Sequence, residues 1–86
     1  MSTYPPHIWD QLRSITADEL CKALVRDGWD LDYGQGSIRI YRNQVTRARI
    51  DVHYHPGKTY GSKMLKGLLD DTGWTLEDLR RLKLID

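Results

Sequence analysis

The chain has 86 residues, 40% of them hydrophobic and 29% charged, with a formal net charge of +1 at pH 7. That length supports one domain with a modest core, and no apolar run approaches the roughly 18 residues that a membrane-spanning helix requires. The N-terminus lacks a basic region followed by a hydrophobic segment, so a cytoplasmic protein without membrane contact is expected, and the lone Cys21 excludes a disulfide scaffold.

In chain order, Met1 to Arg13 contains Pro5-Pro6 and reads as an extended arm with a short helical turn around Ile8 to Leu12. Residues 1–14 are therefore set apart from a single domain spanning 15–86. Thr16-x-x-Glu19 is a capping box, and Leu20, Ala23 and Leu24 then recur at helical spacing as far as Asp27-Gly28. Cys21 lies in this apolar pattern and reads as a buried thiol.

Trp29, Leu31 and Tyr33 alternate with Asp30 and Asp32, and a turn at Gly34-Gln35-Gly36 leads into Ser37 to Arg42, which predicts two antiparallel strands. A third strand follows, with Ala48, Ile50, Val52 and Tyr54 on one face. Arg47, Arg49, Asp51, His53 and His55 take the other.

Beyond Pro56-Gly57, Ser62 is the expected cap of a helix carrying Met64, Leu65, Leu68 and Leu69, which Gly73 ends. Thr75-x-x-Asp78 caps a shorter helix with Leu76, Leu79 and Leu82 in a stripe. The order helix, three strands, helix and short helix predicts an α+β fold. Its helices cover one face of a three-stranded antiparallel sheet and leave the other wet.

The near-neutral total conceals a separation of charge. Residues 35–66 hold seven Lys or Arg against Asp51 alone, a balance of +6, while the flanks hold six basic and eleven acidic residues, a balance of −5. A basic middle suits a phosphate-bearing partner. Lys58, Lys63 and Lys66 cluster at the early end of the helix predicted after the third strand. Of the three Trp, Trp29 and Trp74 each follow a glycine and suit the core, whereas Trp9 is available to a partner.

His53-Tyr54-His55-Pro56-Gly57-Lys58 is the most informative run, with two imidazoles on one side of a strand and an ammonium in the turn beyond. RNA phosphodiester cleavage through the ribose hydroxyl needs a base that titrates near neutrality and a cation for the phosphate, with no metal. His55 is the candidate base, with Lys58 or Arg49 as cation. A solvated edge accounts for His53 and a turn-fixing hydrogen bond for His55 just as simply. The His-x-His pair lacks a third ligand beyond Asp51, so neither a metal nor another cofactor is expected. Gly34-x-Gly36-Ser37 is too short for a nucleotide loop, though its amides and the Ser37 hydroxyl suit a phosphate contact.

Three segments carry a family resemblance: Asp18-Glu19-Leu20 through Leu24 to Gly28-Trp29, then Gly36-Ser37, then Val52 to Lys58 with Gly61 and the helix to Leu69. From about Thr16 to Leu82 the chain resembles HicA-type toxins, also called the YcfA-like family, and the His-Pro-Gly-Lys run is its most specific part. The resemblance implies a double-stranded-RNA-binding-domain-like fold, messenger RNA as target and silencing by a HicB-like antitoxin.

The family's usual catalytic histidine directly follows Gly-Ser, where this chain has Ile38, a side chain that neither takes nor gives a proton. His55 falls on the histidine of the family's proline-glycine-lysine run, and His53 is an additional imidazole beside it. Together they offer a relocated catalytic pair. Ser37, Arg39, Arg47 and Arg49 are then the expected RNA contacts on the strands, with Lys58, Lys63 and Lys66 beyond them.

Three functions remain open at this stage: a type II toxin that is a metal-independent messenger-RNA endoribonuclease, a catalytically inactive RNA-binding relative, and an antitoxin-binding module that cuts nothing.

Overall fold

The computed structural model describes residues 4–86. Residues 1–3 of the expected arm lie outside the described residues. In the remainder the expected helical turn is present and begins earlier than Ile8. Helix α1 spans Pro6–Leu12 and buries Ile8 and Leu12, one turn apart on the same face. The Pro-Pro pair starts this helix instead of preventing it, because proline in the first turn has no N–H to leave unpaired and holds a helical φ. Tyr4 secures the entry by donating its hydroxyl to the Trp74 carbonyl at 2.6 Å.

Helix α2, Ala17–Arg26, begins at the expected capping box. The Glu19 amide donates to Thr16 Oγ1 at 3.2 Å, and the Thr16 amide donates to the Glu19 carboxylate at 3.0 Å. Such a cap contributes about 1 kcal/mol. Ala17, Leu20, Cys21, Ala23 and Leu24 form its buried face.

The strands β1 (Asp30–Gln35), β2 (Ile38–Arg42) and β3 (Arg49–His53) form one antiparallel sheet in that order. Residues paired across antiparallel strands share a face. Tyr41 pairs with Ile50 and Arg39 with Val52 on the helix side, while Ile38 pairs with His53, Ile40 with Asp51 and Arg42 with Arg49 on the open side. Tyr41, Ile50 and Val52 are buried. Each aliphatic side chain so buried is worth about 1.5–3 kcal/mol.

The alternation expected for the first strand fails. The register shifts between Leu31 and Tyr33, with Leu31 opposite Tyr41 and Tyr33 opposite Ile40. Asp32 is the extra residue of a bulge, so two side chains that a regular strand would align point to opposite faces. Both remain exposed, at 53% and 46%.

Helix α3, Ser62–Thr72, is capped by Gly61, not by Ser62, and has no side-chain cap. Ser62 is already helical there and sits one residue too late to cap. Gly73 closes the helix at φ +69°, a left-handed turn that glycine takes without strain. Helix α4, Leu76–Arg81, starts at the Thr75/Asp78 capping box. No helix among the described residues is long and apolar enough to cross a membrane.

Asp27 joins the ends of these elements. Its carboxylate accepts the Trp29 indole N–H at 3.1 Å, the Trp74 indole N–H at 2.7 Å and a guanidinium N–H of Arg81. Partial burial pushes the Asp27 pKa up, but hydrogen bonds from Trp74, Arg81 and Trp29 outweigh it and hold the group below the usual carboxylate range. The stability it contributes is present above the ordinary aspartate pKa of about 4 and is lost as pH falls through the lower folded value. Asp27→Ala strands two indole donors at a cost of about 3 kcal/mol, at roughly 1–3 kcal/mol per unpaired buried group. A urea unfolding midpoint equal to that of the parent chain would remove Asp27 from this role.

Candidate functional site

The end of β3, the following turn and the start of α3 enclose a cleft of about 250 Å³ lined by His53, His55, Lys58, Tyr60, Gly61 and Met64, with Ala17 and Thr59 behind them. His53 is the last residue of β3 and faces outward. His55 lies two residues past the strand, in the turn. Both imidazoles nevertheless line the same cleft, and the Lys58 ammonium stands with them. Tyr60 donates its hydroxyl to the His53 carbonyl at 3.1 Å, and burial pushes its pKa up to about 12, so it stays a neutral donor at physiological pH.

The turn is held from across the molecule. The Asp18 carboxylate, in the first turn of α2, accepts the Tyr54 hydroxyl and, at 3.1 Å, the Gly57 amide. The Ala17 amide donates to the Lys58 carbonyl at 2.9 Å, and Thr16 forms an antiparallel bridge with Thr59. Gly57 has φ +77°, a conformation that a side chain would strain. The Tyr54 hydrogen bond, followed by that of Gly57, lowers the Asp18 pKa, and the Asp18 contact raises that of Tyr54.

The basic residues singled out in the sequence do not all meet at this cleft. Arg49 is exposed but gives its guanidinium to Asp51 at 2.8 and 3.2 Å, so its fork is occupied by its own strand. Arg47 precedes β3 in the connecting turn, at φ +66°, and the strand's alternation does not extend to it. It sits at the opposite end of β3 from His53. Arg39 lies on the helix side of the sheet, its guanidinium carbon 3.6 Å from the Tyr54 ring centroid, where it lines a separate groove with Lys22, Arg26 and Tyr41. Ser37 is half-buried, and its carbonyl accepts the Tyr54 amide at 2.6 Å.

Lys63 and Lys66 line a second groove, on the other flank of α3. Neither they nor Lys58 enter an ion pair among the described residues. For the His-x-His pair, the oxygens of Asp51 are taken by Arg49, and among the described residues no group of three His, Cys, Asp or Glu side chains is arranged to hold a metal.

Among known families, the model described as the HicA toxin of bacterial toxin-antitoxin matches residues 17–74. The chain belongs to the HicA toxin family. A search of the curated proteins finds no match. The HicA match takes in Asp18, the whole sheet, the His-Pro-Gly-Lys turn and α3, and leaves α1 and α4 outside it. HicA membership carries a toxin role with RNA binding in general, and it implies a cognate HicB-like antitoxin.

Asp18, Tyr60 and Met64 join the site without having stood out in the sequence as functional residues. Asp18 reads locally as an acid favourable to the start of a helix, and nothing within a turn of it points to partners 36 and 39 residues away. Because its folded pKa is lowered, the clamp is fully formed above the ordinary aspartate pKa of about 4 and releases as pH falls through the folded value. Asp18→Ala therefore speeds hydrogen exchange of the Gly57 amide about tenfold or more while the amides of Leu20 and Leu24 stay protected. Unchanged exchange at Gly57 would mean that the turn is held by the backbone contacts alone.

Proposed function

We propose that this HicA-family chain is the toxin of a type II toxin–antitoxin pair and a metal-independent messenger-RNA endoribonuclease, its imidazole chemistry relocated to His53 and His55. The observation that carries this reading is the pairing of His53 with Ile38. Ile38 stands where the family's usual histidine follows Gly-Ser, and its cross-strand partner on the same face is an imidazole. The catalytic group comes from the adjacent strand, within a few ångströms of the usual place.

In the reaction, neutral His55 accepts the proton of a ribose 2′-hydroxyl as that oxygen attacks the adjacent phosphorus. Protonated His53 gives a proton to the departing 5′-oxygen as its bond to phosphorus breaks. The products are a 2′,3′-cyclic phosphate and a 5′-hydroxyl. Lys58 offsets the charge that builds on the non-bridging oxygens. Arg49, already engaged by Asp51, contributes less than its position in the sequence suggests.

Residues 15–86 constitute the HicA-like unit, with 1–14 appended to it. Messenger RNA in the cytoplasm is the target. A HicB-like antitoxin silences the chain by covering the cleft and its lysines with acidic surface.

A second reading is favoured by Ile38 itself: with the usual base absent, the chain binds RNA without cutting it. Binding then rests on Lys58 and the lysines of α3, with Ser37, Arg39 and Arg47 as outlying contacts.

The two readings separate in one assay. Single-stranded RNA incubated with the purified chain in a chelator is cut to cyclic-phosphate ends, with a bell-shaped pH–rate profile and a loss of about 100-fold or more in His55→Ala. Equal rates in parent and His55→Ala would sink the catalytic assignment. RNA left intact, but bound with an affinity that falls steeply with salt, supports the second reading. For either form, Lys58→Ala lowers the slope of log affinity against log salt by about one.

A further inference from the structure

Of the three tryptophans, Trp29 and Trp74 are buried with their indole N–H groups on Asp27. Trp9 is only half-buried. It makes an edge-to-face contact with Tyr4 at a centroid separation of 5.3 Å and an interplanar angle of 61°, and its N–H has no hydrogen-bond acceptor among the described residues. With Arg13 of the α1 exit and Ser62, Lys63, Leu65 and Lys66 of α3, it lines a groove of about 350 Å³. The floor, Leu65, is apolar and buried. The rim is cationic.

The balance of charge around the groove selects its occupant. Asp10 is the one acid beside it in α1, and Arg13 engages it at 3.3 Å. The first turn of α3 contains no acidic residue, so its free amides and helix dipole add to the attraction for anions. Among the described residues, Lys63 and Lys66 form no ion pair. A half-exposed indole beside two unpaired lysines suits a nucleobase followed by its phosphate.

The groove and the histidine cleft are both bordered by the first turns of α3 but share no lining residue. At about 100° per residue, Met64 of the cleft and Ser62 and Lys66 of the groove lie on opposite flanks of α3. Leu65 turns into the core and Lys63 turns outward between the two sites. A single strand leaving the cleft beside Lys58 would cross the start of α3 over Lys63 to reach Trp9.

We infer that the Trp9 groove is a base-stacking subsite for single-stranded RNA, taking a nucleotide further along the strand held in the histidine cleft. This rests on the RNA-binding reading above and extends it to a surface outside the span of the family match, which starts at residue 17. The subsite makes affinity depend on RNA length: oligonucleotides long enough to reach Trp9 gain over those confined to the cleft.

The test titrates the intact chain with 2′-O-methylated oligoribonucleotides of one to six nucleotides, which lack the attacking hydroxyl, and follows tryptophan emission together with affinity. Emission is quenched only by the longer oligonucleotides, and their advantage over short ones is about tenfold. Trp9→Leu abolishes both the quenching and the advantage. Lys66→Ala, an exposed change that leaves the fold in place, reduces the advantage of the longer oligonucleotides.

Length-independent affinity in the parent chain, still weakened by Lys58→Ala, overturns the subsite and leaves RNA binding standing. No binding at any length overturns both. Quenching of Trp9 by poly-glutamate to the same extent as by RNA reassigns the groove to an acidic protein partner and overturns the proposal.

Discussion

The Asp18 carboxylate receives hydrogen bonds from two points of the same excursion, the Tyr54 hydroxyl and the Gly57 amide. The chain leaving β3 is thereby bound to the start of α2 before it can run out into solvent. His55 lies between those two points and Lys58 just after them. The consequence extends through Tyr54, whose ring, held by Asp18, is the surface on which the Arg39 guanidinium stacks. One anion at a helix N-terminus, where it also complements the helix dipole, thus directs an imidazole and an ammonium to one cleft and leaves a guanidinium on the helix side of the sheet.

Ion pairing redistributes the functional charge. Arg42 binds Asp32 at 2.8 Å and Arg49 binds Asp51 on the open face of the sheet. These exposed pairs contribute little to stability, but they leave that face closer to neutral than its arginines suggest. Three lysines with no ion pair among the described residues stand instead at the edge where the turn enters α3. Lys58 borders the concavity with the histidines, and Lys63 and Lys66 border the one with Trp9 on the other flank of α3. A phosphate-bearing ligand is drawn to that edge more than to the sheet.

The segments flanking the family match complete the core. Tyr4, Ile8 and Leu12 enter from the N-terminal side and Leu79, Leu82 and Ile85 from the C-terminal side, all in one cluster with Leu24, Trp29, Val52 and Leu69. A domain of this size buries only about 60% of the surface its unfolded chain exposes, so each added apolar face counts. The same packing that stabilises α1 also brings Trp9 beside α3, which links a core requirement to the shape of a surface groove.

The sequence by itself determined the elements whose signals are local. Thr16 with Glu19 and Thr75 with Asp78 marked two helix starts, Gly73 marked an end, and the alternation of Ile50 and Val52 with Arg49, Asp51 and His53 set the faces of β3. Each involves atoms within one turn or a few strand residues, where spacing and geometry are nearly the same thing. The helical start at Pro6 and the glycine cap of α3 were within reach of the same rules but competed with equally regular alternatives.

Tertiary structure alone decided what depends on partners distant in the chain. The bulge at Asp32 sends Tyr33 to the open face, and register against β3 puts Arg39 on the face opposite Arg49. The Asp18 clamp and the approach of Trp9 to Lys66 follow from how helices settle on the sheet. Local propensity carries no information about which distant donor a carboxylate will meet, because that pairing is set by the packing of elements whose relative placement no short window of sequence contains.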